Sequence, residues 1–309
     1  MKGSYDVIII GAGPAGLAAA IYTGRARLKT LILEKAIPGG QIMLTDWIEN
    51  YPGFPEGIAP FELMDNFRKQ ALRFGAEIEN DEVQSLERKG KEWLVHGRRD
   101  DYLAKAIIIA TGSTYRRLGL EKEVRLIGRG VSYCATCDGA FFRDKVVAVI
   151  GGGDNALTEA LFLTKFCRQV YIIHRRQTFR AVRILQERVA ANEKIVVLWN
   201  SVVEEILGEN KVEALKIKNV LNKEEKILPV DGVFISIGME PQSAFLRGVV
   251  EMNEWGQIKV NRNLATNQPG LFAAGDVIED CPRQVATAVG TGVAAAIAVD
   301  KYLSSLETN

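Results

Sequence analysis

Two cysteines separated by two residues, Cys134 and Cys137, are followed at once by an acid in the segment Cys134-Ala135-Thr136-Cys137-Asp138. Thiols at that spacing can close a small disulfide ring and reopen it, and the thiolate is the species that attacks. A carboxyl beside a dithiol is placed to hold a proton and return it to a leaving thiolate, the role expected of Asp138. Two blander readings exist. Asp138 could be an exposed turn residue before Gly139, and the cysteines could be half of a zinc site. The second lacks ligands, because Cys167 and Cys281 are isolated and the only histidines are His96 and His174. No metal is expected.

The dithiol lies between two copies of a phosphate-binding turn. Tyr5-Asp6-Val7-Ile8-Ile9-Ile10 is a run typical of a buried parallel strand, and it leads into Gly11-Ala12-Gly13-Pro14-Ala15-Gly16. A small, apolar helix follows from Leu17 to Arg25, then the strand Thr30-Leu31-Ile32-Leu33 ending at Glu34. A shift of 140 residues reproduces the pattern: Val146 to Ile150, Gly151-Gly152-Gly153-Asp154-Asn155-Ala156, a helix to about Phe166, and Val170 to Ile173 ending at His174. In such turns the first glycine permits the bend, the second lets a pyrophosphate approach the backbone, and the third position keeps helix and strand close. The helix N-terminus offers unpaired N–H groups and a positive dipole end to phosphate.

The acid and the bases that end the second strands distinguish two ligands. Glu34 can accept hydrogen bonds from ribose hydroxyls. His174-Arg175-Arg176, with Arg180 beyond, presents guanidinium groups suited to a 2′-phosphate, although a solvated basic loop would look the same. FAD is therefore expected on the first turn and NADPH on the second, with the dithiol as a relay between a soluble cofactor and a disulfide.

The elements around these turns give the organisation. Ala106 to Ile109 running into Ala110-Thr111-Gly112, and Gly232 to Ile237 running into Gly238, read as last buried strands stopping at a cofactor. Gly75 to Val95 and Ser201 to Pro229 alternate polar and apolar residues and read as antiparallel additions. Phe61, Met64, Phe67 and Ala71 have helical spacing and are expected in a core. Leu271 to Asp276 and the apolar helix after it are too little to fold alone and should complete the first domain. The expected fold is α/β, two Rossmann-like three-layer nucleotide-binding domains with the second inserted in the first: residues 1–115, 116–244 and 245–309.

Lys and Arg total 39 against 38 Asp and Glu, which supplies no basic field for nucleic acid. Four cysteines are too sparse for a secreted disulfide scaffold and suit a cytoplasmic setting. The uncharged run from Val7 to Gly24 is preceded by Asp6 and broken by glycines, so neither an export signal nor a membrane span is expected.

Across almost its whole length the chain resembles the low-molecular-weight thioredoxin reductases. The resemblance is carried by Gly11 to Gly16, Gly39-Gly40-Gln41, Glu49-Asn50-Tyr51-Pro52-Gly53-Phe54-Pro55, Ala110-Thr111-Gly112, Cys134 to Gly139, Gly151 to Ala156, His174 to Arg180, and Gly275-Asp276 with Arg283-Gln284. It implies a homodimer and FAD contacts from Glu34, Gly40, Gln41, Thr45, Asn50, Asp276, Arg283, Gln284 and the backbone near Val83 and Val285. It implies that Cys137 faces the flavin, that Cys134 attacks the disulfide of thioredoxin, and that one domain rotates so that NADPH and the dithiol take turns at the ring. Another small redoxin as partner, a flavin oxidase and a dinucleotide-binding redox sensor are the competing readings. Leu120-Glu121-Lys122-Glu123 departs from the family's usual Pro-Gly-Glu turn, and Pro241-Gln242-Ser243 from Pro-Asn-Thr.

Overall fold

The structure is a computed structural model that describes residues 2–44, 48 and 50–307, with Leu44, Cys137 and Glu307 described in their backbone alone. Residues 1–114 with 240–309 form one compact unit and residues 115–239 a second.

The first unit opens with β1 (Gly3–Ile10), α1 (Pro14–Arg25), β2 (Thr30–Glu34), α2 (Pro60–Arg73), β3 (Glu77–Asn80), β4 (Val83–Lys89), β5 (Glu92–Gly97) and β6 (Asp101–Ile109). Strand order is β3-β2-β1-β6-β5-β4. Val7 to Ile10 and Ile107 to Ile109 are buried on both faces, which is why these central strands read as unbroken apolar runs and pair in parallel. The alternating segment supplies β4 and β5, added antiparallel at one edge. Helix α1 starts with Pro14, whose missing N–H costs nothing at that position, and is buried from Ala15 to Ile21. In α2, Met64 and Ala71 are buried, but Phe61 is 68% exposed and is not core as its spacing suggested. It occupies the first turn of the helix, and the buried stripe runs through Leu63, Met64 and Ala71 instead.

The chain leaves through β7 (Ser113–Tyr115) and builds the second unit from β8 (Val131–Ser132), α3 (Ala135–Asp138), β9 (Val146–Ile150), α4 (Asp154–Leu163), β10 (Gln169–Ile173), α5 (Arg183–Ala190), β11 (Ile195–Leu198), β12 (Ser201–Leu207), β13 (Ala214–Asn219), β14 (Glu225–Pro229) and β15 (Gly232–Ile235). The parallel sheet has the order β11-β10-β9-β15-β8, and β12-β13-β14 form an antiparallel sheet. Alternation along β9 divides the core: Val147 and Val149 join Ala156, Leu157, Ala160 and Leu163 of α4, whereas Ala148 and Ile150 join Ile206, Leu215 and Ile217 of the antiparallel sheet. Helix α4 stops at Leu163, short of Phe166, so Cys167 lies past its end, fully buried, its thiol pushed up to about 11 by burial.

The linker around Leu120 is organised by one acid. Glu123 is 1% exposed, accepts the amides of Leu118, Gly119 and Leu120 at 3.1, 2.8 and 3.2 Å, and is bonded by the Tyr133 hydroxyl.

The return strand β16 (Met239–Pro241) places the second crossing at 239/240 rather than 244/245. Residues 240–244 are held in the first unit, where the Gln242 amide bonds the Gly112 carbonyl at 2.9 Å and the Ser243 hydroxyl bonds the Gly256 carbonyl at 2.5 Å. Strand β17 (Leu271–Ala273) then pairs with β6, and α6 (Val285–Glu307) packs on α1 so closely that a Cβ on Gly292 would stand 2.1 Å from the Ala15 carbonyl oxygen. No described helix is long and apolar enough to cross a membrane.

Candidate active site

In the first unit the end of β1, the end of β6 and the start of α1 converge. Gly11 has φ +107°, and a Cβ there would meet the Ala110 carbonyl oxygen at 2.4 Å, while one on Gly16 would meet the Gly11 oxygen at 1.9 Å. Gly13 is the N-cap of α1, and no side chain of the described residues caps it, so its first amides are open to a ligand. Gly40 lies against this turn; a Cβ on it would come 3.2 Å from the Gly13 Cα. The Glu34 carboxylate accepts the Ala12 amide at 2.8 Å through one oxygen and the Ala36 amide at 2.9 Å through the other. Each oxygen keeps a second lone pair for a hydroxyl.

Further along, the Gln41 Oε1 is buried without a hydrogen-bond partner among the described residues. Asn50 and Gln284, far apart in sequence, meet at 3.0 Å. The Asp276 carboxyl is pushed up by burial and pulled back by the Arg283 charge. Val83 opens β4, two residues beyond Asp81, whose amide bonds the Glu34 carbonyl at 3.0 Å. Val285 opens α6 against Ile48, Ile58 and Leu63. Thr45 lies outside the described residues. An uncapped helix start, two abutting glycine turns, a ribose-competent acid and an orphaned buried amide oxygen together fit a dinucleotide such as FAD.

Gln242 was not among the site residues expected from the sequence, yet it lies against Thr111 just past the end of β6. Its carbonyl accepts the Thr111 hydroxyl at 2.7 Å and its side-chain amide donates to the Thr111 carbonyl at 3.2 Å. Its only sequence signal is its departure from the family's asparagine.

In the second unit Gly153 is the N-cap of α4, again with no side-chain cap among the described residues, and a Cβ on Gly153 would meet nothing within 4 Å. Asp154 is turned to the Val182 amide at 2.7 Å, Asn155 is exposed and Ala156 is buried. Gly238 has φ +105° with open space beside it. Arg175, Arg176 and Arg180 are exposed and form no ion pair among the described residues. His174 differs from them. It is 6% exposed, its Nε2 lies 3.0 Å from the Thr178 carbonyl oxygen, and burial holds its pKa below the usual range, helped by the charges of Arg176 and Arg180. It packs beneath the turn while the arginines remain available, an arrangement that fits NADPH.

The dithiol segment sits at the edge of the same parallel sheet. Ser132, the last residue of β8, receives the Cys134 amide on its hydroxyl at 3.1 Å and returns a bond to the Cys134 carbonyl at 3.2 Å. Cys134 immediately precedes α3, the Asp138 amide bonds back to its carbonyl at 3.2 Å, and its Sγ lies 3.2 Å from the Thr136 hydroxyl. Cys134 is disulfide-bonded, Cys167 and Cys281 are free, and the Cys137 side chain lies outside the described residues. A second acid that no motif marks, Glu159 of α4, has one carboxylate oxygen buried without a hydrogen-bond partner among the described residues, and burial pushes its carboxyl up to about 7. The signal it did carry is its place directly before the buried Ala160 of the helix.

A protein-family model described as pyridine nucleotide-disulphide oxidoreductase matches residues 5–292, and this defines the class. The thioredoxin reductase of Streptomyces coelicolor is 48% identical over 304 residues, covering 97% of this chain and 94% of that one. The bifunctional thioredoxin reductase/thioredoxin of Mycobacterium leprae is 46% identical, covering 97% of this chain and 66% of its own. The crystal structure of Lactococcus lactis thioredoxin reductase superposes with a TM-score of 0.82 at 43% identity, covering 97% of this chain and 99% of that one. The chain belongs to the thioredoxin reductases of low molecular weight, with the α/β fold of two Rossmann-like domains expected from its sequence.

Proposed function

We propose that this enzyme reduces the disulfide of thioredoxin with electrons from NADPH, holding FAD on the first unit and NADPH on the second. FAD, when bound, supplies the two-electron link between nicotinamide and disulfide. Gly11, Gly13, Pro14, Ala15 and Gly16 would receive its pyrophosphate, Glu34 its ribose, and Gly40, Gln41, Asn50, Thr111, Asp276 and Gln284 the remainder. Gly151, Gly153, Asn155 and Ala156 would hold the second pyrophosphate, and Arg175, Arg176 and Arg180 the 2′-phosphate.

The observation that carries the reading is the disulfide at Cys134, directly before α3, in the unit whose glycine turn and exposed arginines, without ion pairs among the described residues, suit NADPH. The two-residue spacing supports Cys137 as the partner of Cys134. In the reduced pair, Cys134 thiolate attacks one sulfur of the thioredoxin disulfide, forming a mixed disulfide and expelling the other thioredoxin sulfur as a thiolate. Asp138 gives that thiolate its proton. Cys137 then attacks the Cys134 sulfur, which restores the internal disulfide and releases reduced thioredoxin. The Mycobacterium leprae relative, named for both activities, supports thioredoxin as the partner.

Both nucleotide and dithiol belong to the second unit, so alternating access needs rotation, and the two crossings near residues 115 and 240 are the tethers for it. A homodimer in the cytoplasm completes the reading; Tyr22, Phe61 and Leu72, large apolar side chains exposed on the first unit, support the former.

The test follows NADPH consumption by the flavin-loaded protein with oxidised thioredoxin and other redoxins, repeated with Cys134→Ser. Thioredoxin-dependent turnover lost in the variant is expected. Turnover surviving the substitution would indicate an oxidase, and flavin that NADPH never bleaches would overturn the reading.

A further inference from the structure

Glu123 lies 1% exposed in the linker between β7 and β8, and neutral donors fill its carboxylate. Oε1 accepts the Leu118 amide at 3.1 Å and the Tyr133 hydroxyl at 2.5 Å, while Oε2 accepts the amides of Gly119 and Leu120 at 2.8 and 3.2 Å. Two bonds at each oxygen use the roughly four acceptor sites of a carboxylate. Cations stand close in sequence, yet Lys122 and Arg125 both turn to Glu209, at 2.8 and 3.2 Å.

The three amides belong to the linker itself: an irregular segment leaves such groups without partners, and a carboxylate can gather them. The fourth donor comes from elsewhere. Tyr133 lies between Ser132, the last residue of β8, and Cys134, and its ring also stacks on Tyr115 with centroids 5.4 Å apart and planes at 22°. Burial, and then the Glu123 carboxylate, push the phenol's pKa up, so it remains a donor at neutral pH. Ser132 holds the Cys134 main chain from the same side, accepting its amide at 3.1 Å and donating to its carbonyl at 3.2 Å. Tyr133 is thus pinned at its hydroxyl and on its ring face, and its backbone runs directly into the cysteine.

We propose that Glu123 and Tyr133 are positioning residues for the dithiol: the buried carboxylate holds the tyrosine that precedes Cys134 and thereby sets how readily the disulfide of Cys134 with Cys137 closes. The inference rests on the reading of these two cysteines as the redox pair. A chain already ordered at Cys134 loses less freedom when the ring forms, which raises the effective concentration of one thiol at the other. Without the phenolic hydroxyl the linker keeps its three amide bonds to Glu123, and what is lost is the hold on Tyr133.

The test equilibrates the flavin-loaded full chain with mixtures of reduced and oxidised dithiothreitol, alkylates the free thiols, and reads the fraction of closed disulfide by mass spectrometry on the peptide holding Cys134 and Cys137. Two electrons and two protons pass from dithiothreitol to the protein disulfide, giving two protein thiols and the cyclic disulfide of the reagent. Tyr133→Phe, which keeps the stacked ring, should be half reduced at a reduced-to-oxidised ratio about three- to tenfold lower than wild type. Tyr115→Leu, which removes the ring beneath Tyr133, should move the midpoint the same way. Glu209→Ala, which breaks the surface pairs of the same linker, should leave it in place. A wild-type midpoint in Tyr133→Phe or Tyr115→Leu, or an equal shift in Glu209→Ala, overturns the inference and leaves the reductase reading intact. A Cys134 disulfide that dithiothreitol cannot reduce in any variant would instead sink the reductase reading.

Discussion

The imidazole of His174 occupies the space a side chain on Gly152 would need: a Cβ there would come within 2.3 Å of the ring. The equivalent pair 140 residues earlier, Ala12 and Glu34, relates differently, the Ala12 amide donating to the Glu34 carboxylate at 2.8 Å. The middle position of each glycine turn is thus set by what ends the second strand. An aromatic ring demands glycine; a carboxylate admits alanine and uses the amide.

Gly152→Ala should therefore destabilise the second unit by about 1–3 kcal/mol through overpacking against His174. Thermal denaturation read alongside an Ala12→Gly control, expected to lose under about 1 kcal/mol, checks this. A Gly152→Ala protein as stable as wild type would mean that the ring moves aside freely.

Glu34→Ala should release flavin. It strips charge-assisted bonds from the Ala12 and Ala36 amides and removes the ribose acceptor, a loss of about 1.5–3 kcal/mol, or roughly 10- to 150-fold in affinity. The ratio of flavin to protein absorbance after dialysis reports it, and full retention would count against Glu34 as the ribose ligand.

On the proposed site, Arg176→Ala and Arg180→Ala should weaken 2′,5′-ADP at least tenfold and leave 5′-AMP nearly unchanged, since a guanidinium bonded to the 2′-phosphate has no such group to hold in 5′-AMP. The wild-type preference should shrink with added salt. Calorimetry with the two nucleotides measures both, and equal losses for the two would point to a structural effect instead.

Acid should weaken the first unit through Asp81. Burial alone would raise its pKa, but the amides of Glu82, Arg99 and Asp100 at 2.8, 3.0 and 3.2 Å and the Tyr102 hydroxyl at 3.1 Å outweigh it and hold the carboxyl below the usual range. A folded pKa below the unfolded one contributes stability above pH ~4, lost as pH falls through the folded value. Asp81→Asn should cost about 1.5–3 kcal/mol in urea unfolding at neutral pH, with the gap closing below pH ~4. A gap independent of pH would show that the charge contributes nothing.

Some expectations failed because helical spacing identifies a stripe but not where the packing partner ends. Phe61 shares the spacing of Met64 and Ala71 and still faces outward at the first turn of α2. Helix α4 likewise stops at Leu163 with apolar residues still to come. The boundary at 239/240 was hidden for another reason: nothing local in Gln242 marks its bonds to Thr111 and Gly112.

The residues alone determined the α/β class, both glycine turns, the acid and basic strand ends and the dithiol, because a tight turn, a buried strand and a two-residue thiol spacing each impose residue types within a few positions. Tertiary structure decided that Asn50 meets Gln284, that Glu123 gathers a linker, and that His174 turns inward while its arginines stay out. Those relationships join side chains brought together by packing across tens to hundreds of residues, and the energy that selects them, burial against hydrogen bonding, is defined only once the surrounding elements have excluded water.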